Sequence, residues 1–406
     1  MNSRFALVLF LFFVIVPLSK SSIFKPFSPK SPLSSIVFPI SGNVFPLGYY
    51  SVLLRIGNPP KAFQFDIDTG SDLTWVQCNA PCSGCTVLPP LQYKPKSNTV
   101  PCSNPICSSL HWPNKPHCPN PKEQCDYDVE YADQGSSMGA LVTDTFPFTL
   151  LNGTILQPPL AFGCGYDQSF SNAHPPPATA GVLGLGKGRI SVLSQLVSAG
   201  VTRNIVGHCL SSKGGGYLFF GDSLIPSTGV TWTPLLSPDN HYTTGPAELL
   251  FNAKPTGLKG LKLIFDTGSS YTYFNSKTYQ TVVKLIENDV KSTPLKVAKD
   301  DKTLPICWKG PKPFKSVLEV KNLFKTLTIN FTNGRKNTQL QIPPESYLIV
   351  SKTGHVCLGL LNGSEVGLQD SNVIGDISMQ GLMMIYDNEK QQLGWVASDC
   401  KKLPKS

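Results

Sequence analysis

The chain has 406 residues, of which 41% are apolar and 15% charged, so its composition is that of a globular rather than a disordered protein. Its length exceeds that of one ordinary core and fits two domains of similar size. The formal net charge is +9, but the lysines are scattered and no basic run alternates with aromatic residues. We therefore expect a basic surface and no nucleic-acid partner.

The N-terminus predicts export. Arg4 precedes an unbroken apolar run over residues 5–16, and small and polar residues follow. Because this run is shorter than the roughly 20 residues of a membrane span, we interpret 1–22 as a cleaved signal peptide. The Ser-, Pro- and Lys-rich stretch 23–43 indicates a short pro-segment or extension. The polar C-terminus contains no lipid-anchor tail, so no membrane anchor is expected.

Turns are frequent along the whole chain. The 34 glycines and 36 prolines follow no repeat period and predict short strands, hence an all-β fold with a few short helices. Apolar and β-branched runs predict the strands Tyr49–Ile56, Tyr217–Phe220, Leu327–Phe331, Val356–Leu361 and Met383–Tyr386. Helices are expected at Ile190–Ala199 and Ser276–Asp289.

An internal repeat sets the architecture. Residues 63–75 read FQFDIDTGSDLTW and residues 261–273 read LKLIFDTGSSYTY. In both, Asp-Thr-Gly-Ser follows an apolar strand, and the aspartates Asp68 and Asp266 lie 198 residues apart. One such tetrapeptide is weak evidence and is explained by an ordinary turn, but a duplicated setting is not.

A second motif repeats in the same order. Residues 180–188 read AGVLGLGKG and residues 372–381 read NVIGDISMQG, each with two apolar residues before a glycine. Two features that repeat in order and at similar spacing predict two related lobes. We place the first lobe at 44–223 and the second at 224–406.

The repeated loops suggest a specific chemistry. A two-fold relation between the lobes brings Asp68 and Asp266 face to face, and like charges about 3 Å apart share one proton at acid pH. Such a pair activates water as a general base and protonates a peptide carbonyl as a general acid, without a metal, cofactor or covalent intermediate. Close approach, hydrogen bonds across the lobes and bonds to the carboxylates are expected from the flanking residues Thr69, Gly70, Ser71, Thr267, Gly268 and Ser269.

From about Gly48 to Cys400 the chain resembles the pepsin-like aspartic peptidases, within them the atypical plant branch of nucellin-like and nepenthesin-like proteins. The resemblance implies a bilobal fold with a pseudo-two-fold axis, and a secreted aspartic endopeptidase acting on an extended polypeptide. It also implies a monomer in the extracellular space or the vacuole. Typical plant members carry a saposin-like insert, for which no segment here is long enough.

The resemblance also assigns a flap. YADQGSSMGALVTD at 131–144 is similar to the family hairpin that closes over substrate, with Tyr131 as its tyrosine and Trp75 as the tryptophan that donates to it. Without the repeat, both would be interpreted as half-buried sheet aromatics. Two flap positions depart from the family pattern: Ala132 replaces the usual glycine, and Gln134 replaces a glycine that is frequent in plant relatives. The resemblance therefore does not predict how flexible the flap is.

Twelve cysteines behind an export signal indicate disulfides in an oxidising compartment. Zinc at Cys78, Cys82, Cys85 and Cys102 is the competing interpretation, favoured only in a cytosolic chain. The nepenthesin-like cysteine order implies the pairs Cys78–Cys82, Cys85–Cys164, Cys102–Cys125, Cys107–Cys118, Cys209–Cys400 and Cys307–Cys357. The Asn-x-Ser/Thr triplets give three candidate glycosylation sites, Asn152, Asn330 and Asn362.

Two other functional classes remain possible from the sequence. Plant xylanase-inhibitor-like proteins share the resembled fold and cysteine pattern and bind without proteolysis. Both Asp-Thr-Gly-Ser copies are intact here, and the flap tyrosine and its tryptophan are present, which favours the peptidase. A structural cell-wall protein would contain a repetitive Pro-rich stalk, which is not found.

Overall fold

The computed structural model describes residues 34–114, 118–170, 178–237, 240–332 and 338–404. The expected signal peptide and the first part of the expected extension, through residue 33, lie outside these residues. In the part of the chain described, no helix is long and apolar enough to cross a membrane.

The strands of the first half of the chain end at residue 220. They are β1 (Ile36–Asn43), β2 (Tyr49–Ile56), β3 (Lys61–Asp68), β4 (Trp75–Gln77), β5 (Asp126–Glu130), β6 (Ser136–Thr145), β7 (Phe148–Thr149), β8 (Ile155–Leu156), β9 (Pro159–Ser169), β10 (Gly181–Gly184), β11 (Ile205–Leu210) and β12 (Gly216–Phe220).

The second half continues with shorter strands. They are β13 (Thr231–Pro234), β14 (Thr243–Phe251), β15 (Lys254–Pro255), β16 (Leu261–Phe265), β17 (Thr272–Phe274), β18 (Lys296–Val297), β19 (Cys307–Lys309), β20 (Leu327–Phe331), β21 (Gln339–Ile342), β22 (Leu348–Val350), β23 (Val356–Leu358), β24 (Leu360–Asn362), β25 (Val373–Ile374), β26 (Leu382–Asp387) and β27 (Gln392–Ala397). The α-helices are α1 (Pro105–Leu110), α2 (Val192–Ser198), α3 (Ser276–Val290) and α4 (Asp376–Met379).

Two large sheets organise these strands. The first has 13 strands in the order β13-β27-β26-β11-β12-β1-β2-β3-β10-β4-β9-β6-β5. The second has eight, in the order β21-β20-β14-β16-β25-β17-β24, with β15 paired to β14. Smaller sheets are β18-β19-β23-β22 and β7-β8. The mainly-β fold class expected from the sequence is confirmed.

The strand that carries the first repeat shows why the chain folds this way. In β3 the alternate residues Phe63, Phe65 and Ile67 are buried, and they pack in one continuous core with the buried β16 residues Leu263 and Phe265. Period-2 alternation of this kind places one face of a strand against the core. Each apolar strand therefore delivers its following Asp-Thr-Gly-Ser loop from the core.

The two expected helices are present with shifted ends. α3 begins after Asn275, whose side chain accepts a hydrogen bond from the Thr278 amide at 2.9 Å, and it buries Val282, Ile286 and Val290 on one face. α2 is shorter than expected because the residues just before Val192 form a turn. The Ser191 side chain caps the helix by accepting a hydrogen bond from the Ser194 amide.

The expected strands are also present, with one exception in extent. The single strand expected at Val356–Leu361 is two strands, β23 and β24, which break at Gly359. β23 pairs with β22 in a four-stranded sheet, whereas β24 pairs with β17 beside the second Asp-Thr-Gly-Ser loop. One apolar run thus serves two sheets, which a hydrophobicity pattern does not reveal.

The two halves of the chain share the first sheet. β26, from the second half, pairs with β11, and Cys400 is bonded to Cys209. β1 lies in the same sheet between β12 and β2, and its side chains at Ile36, Phe38 and Ile40 are buried. The last eight residues of the expected extension therefore belong to the folded unit.

Four expected disulfides are wrong and two pairs form as expected, Cys209–Cys400 and Cys307–Cys357. Instead of Cys78–Cys82, Cys85–Cys164, Cys102–Cys125 and Cys107–Cys118, the structure has Cys78–Cys164, Cys82–Cys85, Cys102–Cys118 and Cys107–Cys125. The Cys78 amide bonds to the Gly165 carbonyl at 2.8 Å, so Cys78 faces β9 and its neighbour Cys164. The cysteines considered for zinc are all disulfide-bonded in this arrangement.

We predict that β1 is required for stability. Phe38→Ala removes a ring that packs edge-on against Phe148 and Phe220, and should lower the free energy of unfolding by about 3–5 kcal/mol. Ser41→Ala, on the exposed face of the same strand, is the matched control and should change it by less than about 0.5 kcal/mol. Chemical denaturation of both variants measures the difference; equal stability would mean that β1 is dispensable.

Candidate active site

The two Asp-Thr-Gly-Ser loops adopt the same hydrogen-bond pattern. In the first, one carboxylate oxygen of Asp68 accepts from the Gly70 amide at 2.8 Å, and the other accepts from the Ser71 hydroxyl. In the second, Asp266 accepts from the Gly268 amide at 2.9 Å and from the Ser269 hydroxyl at 2.8 Å. Each carboxylate is thus held by its own loop, in an orientation set by residues two and three positions later.

Thr69 and Thr267 join the two loops. The Thr69 hydroxyl donates to the Phe265 carbonyl at 2.9 Å and accepts from the Thr267 amide at 3.0 Å. In the reverse direction, the Thr267 hydroxyl donates to the Ile67 carbonyl and accepts from the Thr69 amide, both at 3.0 Å. Both threonines are buried, so these four bonds hold the loops together away from solvent.

The carboxylates meet over the two glycines. A Cβ at Gly70 would lie 2.7 Å from Asp266 Oδ1, and a Cβ at Gly268 would lie 2.5 Å from Asp68 Oδ1. Any side chain at either position would displace the opposite carboxylate. The loops therefore need glycine in order to bring the two aspartates together.

The electrostatics of Asp68 follow from this proximity. Asp68 is buried, and this burial raises the pKa of its carboxyl well above its usual range. The negative charge of Asp266 raises it further, and the bonds from Ser71 and Gly70 oppose the shift. Asp68 consequently remains protonated at a pH at which an exposed aspartate is ionised.

The second repeated motif supports the loops from below. β10 runs parallel to β3 with Gly184 opposite Asp68, and the Leu185 amide donates to the Asp68 carbonyl at 2.7 Å. In the other half, β25 runs parallel to β16, and the Asp376 amide donates to the Ser269 carbonyl at 2.8 Å. These elements position the backbone of each loop.

Asp376 is a site residue that the sequence reasoning missed. It follows Gly375 at the start of α4, is fully buried, and neither of its carboxylate oxygens has a hydrogen-bond partner among the described residues. Burial raises its pKa well above the usual range, and the charges of Asp266, Asp66 and Asp68 raise it further. Its sequence signal was available as an acidic residue inside the apolar segment 373–379.

The flap lies over the first loop. β5 and β6 form an antiparallel hairpin whose turn is closed by a bond from the Tyr131 amide to the Gly135 carbonyl at 2.8 Å. At the tip, Gln134 adopts φ +69°, a left-handed conformation that glycine accommodates without strain. The Ala132 carbonyl would lie 3.3 Å from a Cβ at Gly367, so the tip reaches the second half of the molecule.

Trp75 and Tyr131 are in contact. The Trp75 indole donates to the Tyr131 hydroxyl at 2.6 Å, and Trp75 is buried beneath the hairpin. The pKa of Tyr131 is raised by its burial and then by the negative charge of Asp68. The phenol is therefore within electrostatic reach of the first carboxylate.

The three glycosylation candidates differ in accessibility. Asn152 is exposed in a turn, Asn330 is half-buried on β20, and Asn362 is half-buried. The Asn362 amide donates to Glu365 at 2.8 Å, and its carbonyl accepts from Ser276. The side-chain nitrogen that would receive a glycan is therefore already engaged at Asn362.

Comparison with known families matches both halves of the chain. A family model described as "Xylanase inhibitor N-terminal" matches residues 50–222, and one described as "Xylanase inhibitor C-terminal" matches residues 246–397. An aspartic proteinase of Oryza sativa subsp. japonica is 43% identical over 92% of this chain and 93% of its own length. Aspartic proteinase nepenthesin-1 of Nepenthes gracilis is 27% identical over 87% of this chain and 78% of its own.

The chain belongs to this family of pepsin-like plant aspartic proteinases. Among solved structures, basic 7S globulin from soybean matches with a TM-score of 0.71 at 18% identity, over 92% of this chain and 99% of that one. An aspartic proteinase from Irpex lacteus matches at 0.64 and 17% identity, over 92% and 100%. These structures show the bilobal fold, which a globulin and a proteinase both adopt, so the fold does not decide activity.

The buried carboxyl of Asp376 predicts a pH-dependent stability. Its folded-state pKa lies above the usual 3.8, so the folded protein binds more protons once the unfolded chain begins to ionise. The stabilising contribution is complete below that usual value and is lost as the pH rises through the folded-state pKa. We expect Asp376→Asn to flatten the decline of stability as the pH rises above the usual value, by up to about 1.4 kcal/mol per pH unit.

Chemical denaturation at several pH values measures this slope. Asp370→Asn, an exposed aspartate elsewhere in the second half, is the matched control and should retain the wild-type slope. An Asp376→Asn protein with the wild-type slope would show that Asp376 does not titrate with folding.

Proposed function

We propose that this protein is an aspartic endopeptidase that hydrolyses peptide bonds at acid pH through Asp68 and Asp266. One observation carries the proposal: two carboxylates with the same hydrogen-bond pattern each lie against the glycine of the opposite loop. Like charges this close cannot both ionise readily, so the pair holds one proton over part of the acid range.

The mechanism follows from that shared proton. The ionised carboxylate removes a proton from a water molecule, and the protonated one donates to the carbonyl oxygen of the scissile bond. The raised pKa of Asp68 makes it the natural holder of the proton before water attacks. Ser71 and Ser269 each donate to one oxygen of their own aspartate, which fixes the orientation of both carboxyl groups.

An extended polypeptide is the substrate that this site suits. We infer that the substrate binds in extended form between the two loops and the hairpin, where Tyr131 is held by Trp75. Six disulfides are compatible with passage through the secretory pathway to the extracellular space or the vacuole. Of the three glycosylation candidates, exposed Asn152 is the best acceptor.

A second function is suggested by the description of the matching family models. Both models are described as parts of a xylanase inhibitor, which suggests a binding protein as the alternative. On that alternative, the paired aspartates would be retained only as structural elements. The two intact loops and the complete Tyr131–Trp75 contact favour the peptidase.

We predict that the two aspartates act as one unit. Asp68→Asn and Asp266→Asn should each reduce kcat/KM by at least about 1,000-fold, because neither carboxyl alone is both acid and base. The double variant should be no worse than either single one. Asn is nearly isosteric, so both variants should remain folded.

Cleavage of a peptide library by the wild type and the variants from pH 2 to 8 measures this. The wild-type profile should be bell-shaped with its maximum on the acid side, since activity requires one proton on the pair. A folded wild type that is inactive throughout would support the binding protein instead. Activity that survives either substitution would place the chemistry elsewhere.

A further prediction concerns the flap. Tyr131→Ala should lower kcat/KM on the order of 100-fold, because the contacts that position substrate under the hairpin are lost. Tyr131→Phe keeps the ring and loses only the bond from Trp75, so its loss should be clearly smaller. Steady-state kinetics and thermal unfolding separate the two effects. Full activity per folded molecule in the Ala variant would reduce Tyr131 to a packing residue.

A further inference from the structure

A cavity of about 400 Å³ opens beside the first catalytic loop. Ser71, whose hydroxyl donates to Asp68, lies on one side, and the flap residue Tyr131 lies on another. The cavity therefore adjoins the carboxylates closely enough for a substrate bound across them to place a side chain in it.

The cysteine-rich insertion builds the outer wall. α1 and the turn after it contribute Ser109, Leu110 and Trp112 to the lining. The Cys107–Cys125 disulfide fixes α1 to the start of the flap hairpin, and the Asn104 side chain caps the helix. Trp112 is 69% exposed, so its ring stands at the rim rather than in the core.

The interior walls are apolar. Leu73 and Ile190 are buried, and the half-buried Leu110 and Val129 pack against the same cluster. Such walls favour the methylene or larger apolar part of a side chain. The polar residues Ser109 and Asn240 also line the cavity beside these apolar walls.

The rim is cationic. Among the described residues, Lys187 and Arg189, from the turn between β10 and α2, line the cavity together with one acidic residue, Asp72. One oxygen of Asp72 already accepts from the Gly188 amide at 2.8 Å, and burial raises its pKa, so its charge is reduced in the acid range. Arg189 is exposed, and its side chain has no ion pair or hydrogen bond within the described ranges.

We propose that this cavity accepts an acidic side chain of the substrate, of glutamate class, whose stem contacts the apolar walls and whose carboxylate faces Arg189. This specificity rests on the proposed peptidase function and adds a substrate preference to it. The insertion then has a role in recognition, since it supplies the outer wall.

The test uses peptides in which each position around a scissile bond is varied in turn among Glu, Gln and Lys. At pH 5 a glutamate with its usual pKa of about 4.3 is mostly ionised, while Gln has the same shape without charge. At one position, wild type should prefer Glu over Gln by about three- to fivefold in kcat/KM, the range of a partly exposed ion pair, and should disfavour Lys.

Four variants separate charge from shape. Arg189→Gln should remove the Glu-over-Gln preference, and Arg189→Glu should reverse it in favour of Lys. Lys352→Glu makes the same change of charge on an exposed turn outside the cavity and should leave the preference intact. Trp112→Ala should lower kcat/KM for the Glu and Gln peptides alike, because it removes the wall and not the charge.

The outcomes distinguish the two proposals. Suppose that wild type and Arg189→Glu both cleave the peptides, with the same ratios of kcat/KM among Glu, Gln and Lys at every position. This result would overturn the proposed specificity and leave the proposed peptidase function in place. A wild type that cleaves no peptide at any pH would overturn both. If Lys352→Glu shifts the preference as much as Arg189→Glu does, the preference comes from the overall charge of the protein and not from this cavity.

Discussion

The reciprocal hydrogen bonds of Thr69 and Thr267 are the constraint on which the rest of the site depends. Each hydroxyl donates to a carbonyl of the opposite strand and accepts from the amide of the other threonine. A buried amide or carbonyl that loses such a partner costs about 1–3 kcal/mol, so the loops cannot separate without leaving four groups unpaired. This network sets the distance between the aspartates before any substrate arrives.

The buried carboxyl groups, whose burial and mutual repulsion are unfavourable, lie close to this threonine network. Asp68 and Asp376 are buried carboxyls with raised pKa values, and Asp68 also faces Asp266. Separated loops would relieve this repulsion, so the threonine bonds and the shared first sheet must oppose it. The arrangement is the expected compromise of a site whose carboxyls are kept near their working protonation state at a cost in stability.

The sequence predicted what repeats and missed what is determined by packing. The duplicated Asp-Thr-Gly-Ser motifs indicated two related lobes and the residues that surround the carboxylates. Four disulfides were wrong because pairing depends on which strands are neighbours, as Cys78 and Cys164 are across β4 and β9. The expected extension ends in β1, whose alternating buried residues Ile36, Phe38 and Ile40 were hidden by the overall Ser, Pro and Lys content of 23–43. The cavity residues come from five separate segments, which no local pattern brings together.

Binding of a transition-state mimic tests the central claim most directly. A peptide with a secondary alcohol in place of the scissile amide resembles the tetrahedral intermediate, and its hydroxyl should lie between Asp68 and Asp266. Calorimetry at acid pH should show one tight site per chain, with affinity reduced at least about 100-fold in either single Asn variant and in a peptide that lacks the hydroxyl. Equal affinity of the wild type for both peptides, or binding unchanged by the Asn substitutions, would contradict a paired catalytic site.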